Sequence, residues 1–206
     1  DEPAVGKQIR RAAVGLVAGE ALDVAGAAAA DGRLAEQHDA APIPRGALPH
    51  GKASEKLIKK GELIVVDMGV LLHGYNSDET RTFVTGAPTR KQKEVYNIVK
   101  DAQAAAIDSI RPGVSASAVD RAARGVIEKA GYGKFFGHGT GHGVGLDIHE
   151  APGLGPTSNE VLEEGMVITV EPGIYLPGWG GVRIEDMALV TKGGSDILTS
   201  ITRDLV

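Results

Sequence analysis

Apolar runs that end on an acidic residue recur through the larger part of this chain. Leu63-Ile64-Val65-Val66 leads into Asp67, Val167-Ile168-Thr169-Val170 into Glu171, and Glu185 is flanked by Val182, Ile184, Met187 and Leu189. Short apolar runs of this kind predict buried strands, so each acid is expected in or at the end of one. Residues 61–86 read as a β-hairpin turning near Gly74 and closed by Gly86 and Pro88. The spacing then becomes helical. It predicts helices over Lys91 to Ile110 and Ser115 to Ala130, separated by Arg111-Pro112-Gly113, with Ser115 as the second N-cap. Short strands and Gly-rich loops follow. Before Ala47 the pattern is weak: Ile9 to Leu22 fits an amphipathic helix interrupted by Gly15 and Gly19, and Ala27 to Ala30 supply no large core side chain. Asp39 to Pro44 holds two prolines, which argues against a central strand there.

Buried acids need compensation. Two carboxylates about 5 Å apart repel by roughly 3 kcal/mol even at an effective dielectric of 20, and Arg183 is the only basic residue close in sequence to Glu185. Asp67, Asp78, Glu171 and Glu185, joined by a neutral imidazole at His142, carry four negative charges that two divalent cations would balance. Taken singly, each has a plainer reading. An isolated Asp67 or Asp78 would be a turn or strand-edge residue, a lone GHG a loop, Glu171 before Pro172 a strand end, and Glu185 with Arg183 a surface pair. All of these would have to hold together. Hard oxygen donors with one imidazole favour Mn²⁺, Co²⁺ or Fe²⁺ and accommodate Zn²⁺. His73, near the hairpin turn, and Lys56, Lys59 and Lys60 read as solvated.

Composition narrows the classes. At 206 residues, 1–206 reads as a single domain, and a net charge of −5 without a basic aromatic patch excludes nucleic acid as a partner. No apolar stretch reaches membrane-spanning length and no secretory leader is present, while the opening at Asp1 reads as a processed or excised product. With no cysteine, disulfides, thiolate zinc sites and a cysteine nucleophile are excluded, and a cytoplasmic location is expected.

From about Ala47 to Val206 the chain resembles the "pita-bread" metallopeptidases, the family of methionine aminopeptidases, Xaa-Pro aminopeptidases and prolidases. The resemblance is carried by Asp67 and Asp78 eleven residues apart, His142 seven before His149, Glu171 in EPG and Glu185 in RIED. GYNSDETRTF and HGTGHGVGLDIHE resemble the proline-specific branch. The implied fold is α+β, a pseudo-twofold curved antiparallel sheet with helices on its outer face. Residues 1–46 make an atypically short first half-repeat, which puts the support of His50 in doubt. The resemblance implies two divalent ions bridged by Asp78 and Glu185, with Asp67 completing one and His142 with Glu171 the other. It further implies Glu171 as proton acceptor and donor, His149 at the oxyanion, and His50 at the scissile peptide. His138 and Arg183 would shape the subsite, with Tyr175 supporting them. A peptide is the expected partner, and a homodimer is admitted; the creatinase-like N-terminal domain that often accompanies this domain lies outside this sequence. The alternatives are a methionine-aminopeptidase-like enzyme or a non-catalytic peptide-binding module of the same fold. One departure bears on specificity: Gly153 follows His149-Glu150-Ala151-Pro152 where many prolidases of this type carry an Arg that holds a dipeptide's free carboxylate.

Overall fold

A computed structural model describes residues 33–34, 41–42, 45–51 and 56–205. The helix expected over Ile9 to Leu22 lies outside these residues.

The predicted hairpin is present, in four pieces: β3 (Leu63–Met68), β4 (Val70–Leu72), β5 (Tyr75–Asn76) and β6 (Glu79–Val84). One antiparallel register runs through all of them, from Leu63 opposite Val84 to Leu72 opposite Tyr75. The turn is the pair His73-Gly74, with φ of 52° and 85°. Two successive positive φ values are what a tight hairpin turn demands, and His73 is exposed there as expected. The strands part around Gly69 and Asp78, where Val70 N–H turns to Ser77 Oγ at 3.0 Å. Two short strands flank the hairpin: β1 (Arg33–Leu34) pairs with β4, and β2 (Ala41–Pro42) pairs with β3. The prolines therefore do not abolish a strand before Ala47. They confine it to two residues at the edge of the β2-β3-β6 sheet, where a missing N–H is tolerated.

The helices fall within one residue of expectation, α1 over Arg90–Ser109 and α2 over Ala116–Lys129. Their caps differ from it. Ser115 occupies the N-cap position of α2 without a side-chain cap bond; the helix start is held instead by Ala116 N–H donating to Glu160 O at 2.8 Å. The side-chain cap belongs to α1, where Thr89 and Gln92 form a reciprocal capping box: Gln92 N–H donates to Thr89 Oγ1 (3.2 Å) and Thr89 N–H to Gln92 Oε1 (2.8 Å).

The remaining strands are β7 (Gly141–Gly143), β8 (Glu150–Leu154), β9 (Val167–Val170), β10 (Gly173–Leu176), β11 (Gly180–Arg183), β12 (Asp186–Thr191) and β13 (Gly194–Ile197). Five of them form an antiparallel sheet in the order β13-β12-β9-β7-β8, while β10 and β11 pair separately. The stretch Met187 to Val190 of β12 is apolar because it is covered on both faces. Ala188 and Val190 pack with Val95, Val99 and Ala102 of α1 and Val119 and Ala123 of α2, whereas Met187 and Leu189 pack with Val144 and Leu198. Among the described residues, no helix is long and apolar enough to cross a membrane.

The capping box makes α1 dependent on Thr89. Thr89→Ala is expected to cost about 1 kcal/mol, read as a lower urea midpoint with an unchanged slope; an unaltered midpoint would show that the cap contributes nothing.

Candidate metal centre

Strand period and register bring the acids together. Asp67 lies in β3 opposite Thr80, and Asp78 stands two residues before Thr80, so both aspartates project from one face of the hairpin. Glu171 and Glu185 sit where a ladder ends. Val170 opposite Asp186 closes the pairing of β9 with β12, and one further step in the same register sets the two glutamates against each other. Their own N–H groups then leave the ladder. Glu171 N–H donates to Thr140 O (2.7 Å), and Glu185 N–H donates to Thr80 O (3.0 Å). Each glutamate is thereby tied to the segment that carries another of the predicted ligands.

His142, in the region read as short strands and Gly-rich loops, is the middle residue of β7. Its N–H donates to Thr169 Oγ1 at 3.0 Å and its Nδ1 lies 2.9 Å from Gly143 O. A protonated Nδ1 satisfies that carbonyl and leaves Nε2 as the free lone pair. Nε2 points at the acids, 3.5 Å from Glu171 Oε1 and 3.7 Å from Asp78 Oδ2. Asp78, His142 and Glu185 each offer a ligand atom, all within 4.8 Å of one another. Gly141 makes this approach feasible, since any side chain there would run into the Thr169 carbonyl.

The electrostatics follow from crowding acids in a dry site. Burial pushes the carboxyl of Glu185 well above the usual range, and the charges of Asp78, Glu171 and Asp67 add to it. Burial, then the charges of Asp67 and Glu171, raise Asp78 to about 8. Glu171 is raised to about 7, again chiefly by burial. Arg183 supplies the opposing charge: its Nη2 is 2.6 Å from Asp67 Oδ2 and its Nε 4.0 Å from Glu171 Oε2. Arg183 Nε also donates to Thr80 Oγ1 (3.1 Å), which donates in turn to Glu185 Oε2 (2.6 Å). One guanidinium faces four carboxylates.

Arg183 organises the opposite flank of the site as well. Its Nη1 donates to Pro49 O (2.7 Å) and Tyr175 Oη (3.2 Å), and Tyr175 Oη lies 2.9 Å from His138 Nε2. With Nδ1–H of His138 donating to Gly139 O (2.7 Å), Nε2 accepts the Tyr175 proton. Burial lowers His138 to about 4 and raises Tyr175 to about 12, so both are neutral in this chain of donors. The bond to Pro49 holds the backbone beside His50. A cleft of about 210 Å³ opens here, with His50, His138, His142, His149, Glu171 and Arg183 on its walls. His50 and His149 are exposed at its rim, and the His149 ring stands 4.3 Å from that of His142.

The polar supports behind the site were not foreseen. Asp120 and Arg124 of α2 pair side by side at 2.8–2.9 Å. Arg124 donates to Phe136 O and His138 O, while Asp120 accepts from Thr140. Arg81 reaches Glu185 O from behind and pairs with Asp186 at 2.7 Å. For Arg81 and Asp186 the signal in the sequence was a charge immediately beside Thr80 and Glu185; Asp120 and Arg124 showed only as an i, i+4 pair on a helix.

Comparison with known proteins agrees with this architecture. The model of metallopeptidase family M24 matches residues 22–192. An Xaa-Pro dipeptidase of Pyrococcus horikoshii is 54% identical over 162 residues, covering 79% of this chain and 46% of the relative. The uncharacterized peptidase YqhT of Bacillus subtilis is 48% identical over 162 residues, with the same share of this chain and 46% of its own. Among solved structures, the prolidase from Pyrococcus horikoshii OT3 superposes with a TM-score of 0.81 at 52% identity over 82% of this chain and 49% of that one. An X-Pro aminopeptidase from Thermotoga maritima MSB8 gives 0.82 at 42% identity over 84% and 49%. The chain spans about half the length of these relatives. By sequence and by its α+β pita-bread fold, it belongs to metallopeptidase family M24.

Proposed function

We propose that residues 1–206 form the catalytic domain of a dinuclear metal-dependent peptidase that hydrolyses the bond between an N-terminal residue and proline. The observation that carries this reading is the convergence of Asp78, His142 and Glu185 within 4.8 Å, against Asp67 and Glu171, with Arg183 as partial compensation. The residues fit divalent ions: the donors are hard oxygens and one imidazole with its lone pair free, and the raised carboxyls hold protons that a cation would displace. Asp78 and Glu185 are assigned as bridging ligands, Asp67 as completing one position, and His142 with Glu171 as completing the other. Mn²⁺ and Co²⁺ are the proposed metals, with Fe²⁺ and Zn²⁺ accommodated by the same donors.

Two such ions supply the Lewis acidity that makes water nucleophilic at neutral pH. Glu171 then acts as proton acceptor and passes the proton to the leaving nitrogen. His149, at the rim 4.3 Å from His142, donates to the developing oxyanion. His50 contacts the scissile peptide from the opposite rim. His138 and Tyr175 form a neutral wall for the subsite, held in place by Arg183. Relatives named Xaa-Pro dipeptidase and X-Pro aminopeptidase support proline specificity over a methionine-aminopeptidase-like activity. The intact ligand set argues against a non-catalytic module. A homodimer is the assembly proposed for the full protein.

Ligands and transition-state donors should separate cleanly. Asp78→Ala or Glu185→Ala is expected to lose metal and all activity, because the remaining acids repel once a bridging group is gone. His149→Ala is expected to keep its metal and lose about 10²-fold in kcat. Elemental analysis decides between these: full activity of the stripped protein would end the metal reading, and loss of an ion from His149→Ala would make that residue a ligand.

The chelated protein should also respond to pH. Asp78 (3.8 to about 8) and Glu171 (4.5 to about 7) bind protons more tightly when folded, so their contribution is lost as pH rises towards those values. His138 acts oppositely, its value falling from 6.5 to about 4, which adds stability only as pH climbs to about 6.5. Between pH 6.5 and 8 the acids alone remain, and Tm in EDTA is expected to fall. Glu79, raised to about 7 by burial against the opposing charge of Arg81, adds a metal-independent part. The measurement is therefore the difference from the Mn²⁺-loaded curve; parallel curves would refute the electrostatic account.

Substrate length tests the reading of Gly153. It lies opposite His142 in the β7–β8 pairing, so a side chain there would share the face of the metal ligand. Without a cation at this position, a dipeptide's carboxylate forgoes a charge-assisted bond of about 1.5–3 kcal/mol. Xaa-Pro-Yaa peptides are expected to be cleaved at least as well as Xaa-Pro dipeptides, with Met-Ala peptides poor, and Gly153→Arg is expected to shift the ratio towards dipeptides. A native preference for dipeptides that Gly153→Arg leaves unchanged would place carboxylate recognition elsewhere.

A further inference from the structure

Gln103 is a fully buried polar side chain in the middle of α1, among apolar neighbours. Its Nε2 group lies 3.2 Å from Val170 O, 3.2 Å from Ile184 O and 2.9 Å from Asp186 Oδ2. Three acceptors around one nitrogen fix which end of the amide points there. Its Oε1, facing the other way, has no partner among the described residues. The position is thus organised around the donors, and the two backbone carbonyls they reach belong to the residues immediately before Glu171 and Glu185.

That choice of carbonyls matters because the strands lose their ladder at this point. The last registered pair is Val170 with Asp186, and the N–H groups of Glu171 and Glu185 are committed outward to Thr140 and Thr80. The β9–β12 ladder brings the two glutamates opposite each other, but its registered pairs stop one residue short of them. The Gln103 amide spans that gap from the helix side. Asp186 anchors the amide in turn: its Oδ1 accepts from Arg81 Nη2 (2.7 Å) and Thr199 Oγ1 (2.5 Å), and its Oδ2 pairs with Arg203 at 2.6 Å.

We propose that Gln103 is a positioning residue that fixes the separation of Glu171 and Glu185, and thereby the affinity of the more weakly held divalent ion. The inference rests on the dinuclear reading of the site. Gln103 touches neither substrate nor metal; it acts through the backbone of the two residues before the ligands.

The test uses Gln103→Met, which keeps length and flexibility and removes the donors. Chelator-stripped protein is titrated with Mn²⁺ by calorimetry, and the Co²⁺ form is followed by its visible spectrum. Expected are a roughly 10- to 100-fold weaker second ion, an altered Co²⁺ spectrum, and a kcat restored by excess Mn²⁺ with KM unchanged. General destabilisation, which excess metal would also offset by mass action, is separated by a lowered urea midpoint of the stripped variant and an unaltered Co²⁺ spectrum. Wild-type affinities and spectrum in a folded Gln103→Met protein would overturn the proposal. Should the variant fail to fold, the wild type decides: with ¹⁵N-glutamine labelling, the Gln103 side-chain amide protons should exchange slowly and shift on Zn²⁺ addition, and their indifference to the metal would overturn it. If the wild type binds a single ion, the dinuclear reading falls. Gln103 is then judged on that ion, with unchanged affinity in Gln103→Met counting against it.

Discussion

Two glutamates set against each other just past the end of a strand ladder are the constraint around which this structure is built. Like charges in opposing strand positions repel, and at Glu185 burial removes the water that would otherwise screen them. The chain does not relieve the conflict with an equal number of bases. It brings Asp67 and Asp78 to the same place, which deepens it, and offers Arg183 as partial relief. Such a site is stable with protons or with cations, and the raised carboxyls show the first of these states. The preference for divalent ions follows from that arrangement.

Holding repelling groups close requires restraint from every side, and the backbone supplies it. Glu171 is tied through its N–H to the segment leading into His142, and Glu185 to the strand that follows Asp78. The helices complete the restraint from behind. From α2, Asp120 and Arg124 clamp the loop of His138 and Thr140; from α1, Gln103 reaches the two glutamate strands. Apart from Gln92 of the capping box, the buried polar residues of the helices, Gln103 and Asp120, are those that reach the segments holding the site.

What was legible in the sequence was what period and spacing encode. The apolar run Leu63 to Val66 placed Asp67 on a strand, helical spacing located α1 and α2 within a residue, and the order of acidic and imidazole groups pointed to one site. Three features were not legible. The Thr89-Gln92 box shows locally as a Thr followed three residues later by Gln, whereas Ser115, at the N-cap of the other helix, leaves the helix start to a backbone bond with Glu160, distant in sequence. The edge strand at Ala41–Pro42 depends on its place beside β3, which no local rule reports. Gln103 looked like one polar residue in an amphipathic helix, because its meaning lies in two carbonyls 67 and 81 residues away.

The cleft divides into two electrostatic halves for a physical reason. On one side the acids, held apart by Arg183 and braced through Thr80, are prepared for positive charge. On the other, His138 and Tyr175 are kept neutral by burial, linked in a row of hydrogen bonds that begins at the same arginine. Arg183 thus belongs to both halves: its Nη2 holds Asp67, while its Nη1 holds Tyr175 and the backbone beside His50. On the proposed reading, a wall of uncharged groups would suit a proline ring, which presents mostly apolar surface, better than one carrying free charge. By bonding to both, a single guanidinium fixes that wall relative to the acids.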